Sequence, residues 1–362
     1  MAVMASRGNS RRGGGGAGDV PDGSLPEGAS GDRPLVSVAC AAFNHAPFIR
    51  DALEGFRMQR ADFPFEVVVH DDASSDGTAE IIRSFQEEHP ERVTAVFQRE
   101  NQYSAGRRIY PDFIWPLLRG TYVAMCDGDD FWTDPRKLAK QVDALRRHPE
   151  CALCIHPAAE GRTGGSLPPG CPLPPRSGER VLSPRETILG GFALPSASMM
   201  VHRRVVEDYI SWKELLQGAG ITDFFLRILA GIHGGAVFLP DAMCVYRRNV
   251  PGSWTERMKA DWRMGVRRTE EVMEALRFLE GLTGGAFSRE FARLVGASVQ
   301  GVLRNRGMPL SERREFYWNH KDAAGWRTRI RWRLVYSSPR IHALAGWIRK
   351  KAVGVFGRCT SR

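Results

Sequence analysis

Short apolar runs separated by longer amphipathic stretches set the rhythm of this chain from Pro34 onward. Leu35–Cys40, Phe65–Val69, Val93–Phe97 and Tyr122–Cys126 each read as a strand, the last a short apolar run that reads as buried. Between the first two, Ile49, Leu53 and Phe56 repeat at four and three, which predicts a helix from about Pro47 to Gln59. Ile81, Ile82 and Phe85 mark a second helix, and Leu138, Val142 and Leu145 a third over Pro135–His148. Strands alternating with helices in this order predict an α/β fold, a mostly parallel sheet with helices on both faces.

Later segments continue the pattern less regularly. Cys151–His156 reads as a strand, Glu160–Glu179 as a long Gly/Pro-rich loop, and Leu194–His202 as a return into the sheet. Thr222–Leu229 opens a strongly apolar helix, and Ala236–Leu239 and Val245–Asn249 follow it. Ser196 and Ser198 either meet a substrate or are satisfied within the sheet. After Met258, Val272, Met273, Leu276, Leu279, Phe291, Leu294 and Val295 predict two or three helices packed on the preceding domain. The expected organisation is a disordered leader (residues 1–33), an α/β domain (34–256) and a helical extension with a basic tail (257–362).

The chemistry gathers at strand exits. The fourth strand stops abruptly in Asp127-Gly128-Asp129-Asp130, three carboxylates that cannot be core. If the backbone stays extended, Asp127 and Asp129 point to one side, and hard oxygen donors at that spacing suit Mg²⁺ or Mn²⁺. The competing reading is an acidic turn before the helix that Thr133-Asp134-Pro135 begins. The second strand ends in Asp71-Asp72-Ala73-Ser74-Ser75-Asp76-Gly77-Thr78, where Asp72 is either a ligand contact or a brace for loop amides. In parallel sheets such exits converge on a ligand crevice where the strand order reverses.

Composition narrows the classes. With 362 residues, 43% hydrophobic and 25% charged, the chain is neither fibrous nor wholly disordered. No stretch of eighteen successive apolar residues and no apolar leader segment are present, and seven scattered cysteines point to a reducing, cytoplasmic setting. Cys151, Cys154, His156 and Cys171 can be drawn as a zinc site, but the first three read as strand residues. From Lys321 to Arg362, eleven basic residues face one acid, Asp322, so this tail equals the whole net charge of +10. That favours a local basic appendage over a nucleic-acid-binding body. Its Trp and Ile interleaved with Arg and Lys suit either an anionic membrane surface or a helix docked on the body.

The segments VSVACAAFNHAPFIRDALEGF, EVVVHDDASSDGT and CDGDDFWTDPRKLAKQVDAL, followed by LPSASMMVHRR and the stretch from Thr222 to Trp254, resemble the inverting family-two glycosyltransferases over roughly Pro34–Trp254. The resemblance implies a GT-A-type nucleotide-diphospho-sugar transferase fold. It places Ala41, Phe43 and Asn44 against the nucleoside, and Asp72, with Asp71 beside it, on a base N–H of uracil or thymine. It makes Asp127, Asp129 and Asp130 ligands of Mn²⁺ or Mg²⁺, with Asp127 and Gly128 also bordering the donor. Asp223 becomes the general base, although an acid at a helix start is also a simple dipole partner. Asn249 stands where several relatives carry His. Arg107, beside Arg108, is a candidate for neutralising the diphosphate. The implied partners are a UDP- or dTDP-sugar donor and a saccharide or lipid-linked saccharide acceptor, in cell-surface polysaccharide or glycoconjugate assembly. The rivals are a two-carboxylate glycoside hydrolase and a non-catalytic nucleotide-sugar or polyanion binder.

Overall fold

The computed structural model describes residues 33–162, 178–190, 195–216, 222–325, 328–330 and 332. The leader apart from residue 33, the centre of the Gly/Pro-rich loop and residues 333–362 of the basic tail lie outside them.

The first half follows the alternation of the sequence. Strand β1 (Val36–Ala42) leads to α1 (Ile49–Arg57), β2 (Phe65–Asp71), α2 (Thr78–Glu88), β3 (Val93–Phe97) and β4 (Tyr122–Met125). Then come β5 (Phe131–Trp132), α3 (Lys137–Arg147), β6 (Leu153–Ile155), β7 (Ala158–Arg162), β8 (Arg180–Leu182) and α4 (Pro184–Leu189). The chain continues through β9 (Met200–His202), α5 (Arg203–Ser211), α6 (Thr222–Ile232), β10 (Ala236–Phe238) and β11 (Cys244–Arg248). It finishes with α7 (Trp254–Ala260), α8 (Trp262–Leu282), α9 (Ser288–Arg304) and α10 (Leu310–Asn319).

Eight strands form one sheet in the order β3-β2-β1-β4-β9-β6-β10-β8, and β5-β11-β7 form a second. β3, β2, β1 and β4 are parallel, and β9 enters antiparallel between β4 and β6. The chain runs outward from β1 to β3, then crosses back to place β4 on the other side of β1. The order therefore reverses between β1 and β4, the position outside the strand ends at which open α/β sheets bind ligands.

Side-chain alternation on β1 builds a core on each face. Val36, Val38, Cys40 and Ala42 pack with Ile49, Leu53 and Phe56 of α1, Ile82 of α2, and Leu138, Val142 and Leu145 of α3. Ala39 faces the other layer, with Ile188 of α4, Tyr209 of α5 and Phe225 and Leu229 of α6. Leu276 and Leu279 of α8 and Phe291 of α9 join that same layer. Helices α8 and α9 thus share the core of the sheet, while Phe316 and Tyr317 of α10 pack in a separate cluster with Val299, Val302 and Leu303 at the end of α9. No helix among the described residues is long and apolar enough to cross a membrane.

Candidate active site

The acidic segment does not stay extended. Asp130 N–H closes a turn onto the Asp127 carbonyl at 3.0 Å, so the expected same-side alternation of Asp127 and Asp129 is replaced by a tight reversal. Gly128 donates its N–H to the Ala41 carbonyl at 2.9 Å, which ties the turn to the end of β1. A Cβ at this position would lie 2.9 Å from His45 Nδ1 and 2.9 Å from Ile49 Cδ1, so any larger residue requires these neighbours or the turn to shift.

Each carboxylate of the turn has its own environment. Asp127 accepts from the Tyr110 hydroxyl at 2.5 Å and from the Ser196 hydroxyl at 2.8 Å, one oxygen to each. Burial and the neighbouring charge of Asp129 push its pKa to about 6, against the pull of the two hydroxyls. Asp130 is buried and accepts the Arg247 N–H at 2.8 Å; burial holds its carboxyl well above the usual range. Burial also raises Asp129, whose carboxylate no donor from another residue claims among the described residues.

The three acids therefore do not converge as one ligand set. Among the described residues no group of three His, Cys, Asp or Glu side chains is arranged to hold a metal ion. The turn aims Asp130 at β11, and two hydroxyls occupy Asp127. Asp129 is the carboxylate of the turn with neither oxygen engaged by another residue among the described residues, which fits a Mg²⁺ or Mn²⁺ held by one carboxylate, waters and substrate phosphates. The Cys151, Cys154 and His156 segment is buried sheet, as the strand reading expected.

At the exit of β2 the two aspartates differ. Asp72 accepts the N–H of Gln102 at 2.8 Å and of Tyr103 at 3.0 Å, one on each oxygen, so it braces the loop after β3. Asp71, 2% exposed, accepts the Ser74 N–H at 3.1 Å through Oδ2, while its buried Oδ1 has no partner among the described residues. Burial raises its pKa. Of this pair, Asp71 is the acid with an oxygen that accepts no hydrogen bond among the described residues.

The loops after β1 and β2 are stitched together. Asn44, at φ +54°, donates its N–H to Ser74 Oγ and accepts the Ser75 N–H through Oδ1, both at 2.9 Å. The Ala46 and His45 N–H groups donate to Asp76 Oδ2 at 3.0 Å and Thr78 Oγ1 at 2.8 Å. Phe43 stands 44% exposed at the rim, and Ala41 is partly buried beside it. Asn249, at φ +61°, ends β11 on the surface.

Arg107 is engaged elsewhere. It pairs with Asp112 at 3.1 Å and lies over the Phe113 ring, while Arg108 bonds the Lys213 carbonyl and pairs with Glu214. Ser198 satisfies its hydroxyl on the Pro195 carbonyl, within a single 3₁₀ turn that precedes β9.

Asp223 is the second residue of α6, partly buried, and accepts the Phe224 N–H at 2.9 Å. Burial raises its pKa, opposed by that amide and by the charges of Arg268 and Arg227. An aromatic path runs from the acidic turn toward this helix. Tyr110 packs on Trp115 at 6.0 Å, Trp115 on Tyr209 at 5.0 Å and Tyr209 on Phe225 at 6.5 Å between ring centroids. Burial pushes Tyr209 up to about 12, and the charge of Asp223 adds to the rise.

Tyr110 and Ser196 were not singled out as acid-turn partners from sequence. Tyr110 opens a single π-helical turn, Tyr110–Ile114, a distortion often found at functional sites. Ser196 lies on the 3₁₀ turn far along the chain. Neither bond has a local sequence signal.

The chain is similar to several known proteins. The family model for glycosyl transferase family 2 matches residues 37–209. An uncharacterized protein of Mycobacterium tuberculosis (strain H37Rv) is 32% identical over 278 residues, 75% of each chain. An uncharacterized glycosyltransferase of Methanocaldococcus jannaschii is 28% identical over 124 residues, 34% of this chain and 41% of that protein. Among solved structures, S. aureus TarS in complex with UDP-GlcNAc is 15% identical, with 80% of this chain and 88% of that chain covered and a TM-score of 0.46. The mannosyltransferase PcManGT from Pyrobaculum calidifontis, in complex with GDP-Man and Mn²⁺, is 17% identical, with coverage of 89% and 81% and a TM-score of 0.48.

Proposed function

Because the chain belongs to glycosyl transferase family 2, we propose that it moves a sugar from a nucleoside diphosphate donor to an acceptor hydroxyl in one displacement, inverting the anomeric carbon. The observation that carries this reading is the acidic turn at the reversal of strand order, with Asp129 unclaimed and the bare Asp71 Oδ1 at the neighbouring strand exit.

The nucleoside lies along Ala41, Phe43 and Asn44. Asp71 Oδ1 accepts a base N–H, which suits the N3–H of uracil or thymine and hence a UDP- or dTDP-sugar. Asp72 serves the loop instead, since both its oxygens hold amides. Gly128 leaves room for close approach, and Asp127, fixed by Tyr110 and Ser196, borders the donor and shapes the turn.

Asp129 would hold Mn²⁺ or Mg²⁺, which offsets the charge gathering on the leaving diphosphate. Asp130 supports the turn through its bond to β11 rather than reaching that cation. Asp223 takes the proton of the acceptor hydroxyl as its oxygen bonds the anomeric carbon and the bond to the diphosphate oxygen breaks. Its burial makes it a stronger base, and the charges of Arg268 and Arg227 oppose that rise. Arg107, held by Asp112, plays no part in this reading.

The acceptor is a saccharide or lipid-linked saccharide, and cell-surface polysaccharide or glycoconjugate assembly is the setting that such a transfer fits. The basic, Trp-bearing tail supports residence at an anionic membrane surface from the cytoplasmic side.

A thermal-shift panel of sugar nucleotides with Mn²⁺ tests the reading, because a ligand that prefers the native state raises the melting point. A rise with UDP- or dTDP-sugars that needs the metal is expected. No rise with any nucleotide, together with turnover of simple glycosides in the absence of metal, would refute it.

A further inference from the structure

Arg247 lies on β11, beyond the residues 37–209 that the family model matches, yet it holds the acidic turn at two points. Its main-chain N–H donates to Asp130 Oδ1 at 2.8 Å, and its Nη1 donates to the Asp129 carbonyl at 2.9 Å. Nη2 pairs with Asp51 on α1. The guanidinium also lies over Phe131 at 4.4 Å and Phe48 at 5.2 Å from the ring centroids. With its side chain only 10% exposed, Arg247 is built into the wall of the site.

This arrangement needs a guanidinium. A planar cation presents donors along two in-plane directions while its faces remain available to aromatic rings, whereas an ammonium is a compact point charge. The register brings it there: β11 pairs antiparallel with β5 through Cys244 opposite Trp132 and Val245 opposite Phe131. A slip of one residue would turn the arginine to the other face. The carbonyl it grips belongs to Asp129, so the grip fixes the main chain from which the one unclaimed carboxylate projects.

We infer that Arg247 is a positioning residue for the donor site, setting the direction of Asp129 and joining α1 and β11 across the back of the acidic turn. The inference rests on the reading of Asp129 as the donor-side acid. It adds that a strand beyond residue 209 sets the acidic turn that closes β4.

The test uses the full chain with Arg247→Lys and, as a milder change, Asp51→Asn. Hydrogen exchange of the segment 126–132 is measured beside steady-state turnover of a UDP-sugar with Mn²⁺. In Arg247→Lys, exchange at Asp129–Phe131 should rise about tenfold while β1 and β2 keep wild-type protection. The donor KM should rise about tenfold with kcat at saturating donor within about twofold. Asp51→Asn should move both in the same direction by less. Wild-type exchange and KM in Arg247→Lys would overturn the inference. So would a rise in exchange across the whole sheet, which marks a purely structural residue. If the wild-type chain turns over no sugar nucleotide, the transferase reading falls separately, and the exchange measurement alone decides whether Arg247 sets the turn.

Discussion

The Tyr110 hydroxyl donates to Asp127 Oδ1 at 2.5 Å, joining a π-helical turn to the acid that closes β4. Together with Ser196 on Oδ2, it leaves Asp127 with both oxygens held and a pKa of about 6. Donors to a carboxylate favour its charged form, so removing one lifts the pKa further. Tyr110→Phe should therefore shift the acidic limb of the pH–activity profile upward. A limb identical to wild type would show that Asp127 does not govern it.

Asp127 also links pH to stability with an unusual sign. Its folded pKa of about 6 lies above the ordinary 3.8, so the folded state keeps a proton that the unfolded chain has released. Its contribution to stability is full below the unfolded value and declines as pH rises through about 6. Asp71, Asp129, Asp130 and Asp223 are raised as well and act in the same sense. Urea midpoints across this window should fall less steeply with pH in Asp127→Asn than in the wild type. Parallel curves would contradict the assignment.

The two acids after β2 should separate stability from recognition. Asp72→Asn weakens one of two buried amide bonds and should destabilise the fold by about 1–3 kcal/mol, with base preference unchanged. Asp71→Asn should keep the fold and weaken UDP binding about tenfold. Melting curves and calorimetric titration with UDP distinguish the pair; the reverse pattern would return the base contact to Asp72.

Gly128→Ala places a methyl 2.9 Å from His45 Nδ1 and from Ile49 Cδ1. Overpacking of this kind typically destabilises by about 1–3 kcal/mol. The shift should be accompanied by loss of donor binding, because the turn itself must move. Retained UDP affinity in Gly128→Ala would mean that the turn lies away from the donor.

The α/β alternation was legible because β1 to β4 are short, mostly apolar runs ended by polar clusters. β3 begins and ends at the residues the pattern predicts, and β2 runs two residues further. β5 and β7 were not read, since Phe131–Trp132 is two residues long and Ala158–Arg162 runs into the Gly/Pro-rich stretch. Both are stabilised by pairing with β11, a partner distant in sequence. Helix α4 was not predicted, although Ser183-Pro184-Arg185-Glu186 forms a capping box at its start. The acids of the candidate site were visible in the sequence, but their hydrogen-bond partners were not. Asp130 and Asp72 became supports because backbone amides from elsewhere in the fold reached them first. Arg107 paired with Asp112 for a related reason: the nearest opposite charge lay on its own loop.

Asp223→Asn should lower kcat by about 10²–10⁴ while leaving UDP affinity within about twofold, as expected for loss of a proton acceptor that does not touch the nucleotide. A fall in nucleotide affinity without a fall in kcat would make Asp223 a helix-start charge only.

Nucleotide release from a UDP-sugar in the presence of Mn²⁺, compared between the wild-type chain and Asp129→Ala, asks whether this turn handles an activated sugar. The proposed reading expects slow, metal-dependent release in the wild type that Asp129→Ala abolishes. Equal release from both proteins, or release indifferent to metal, would contradict it.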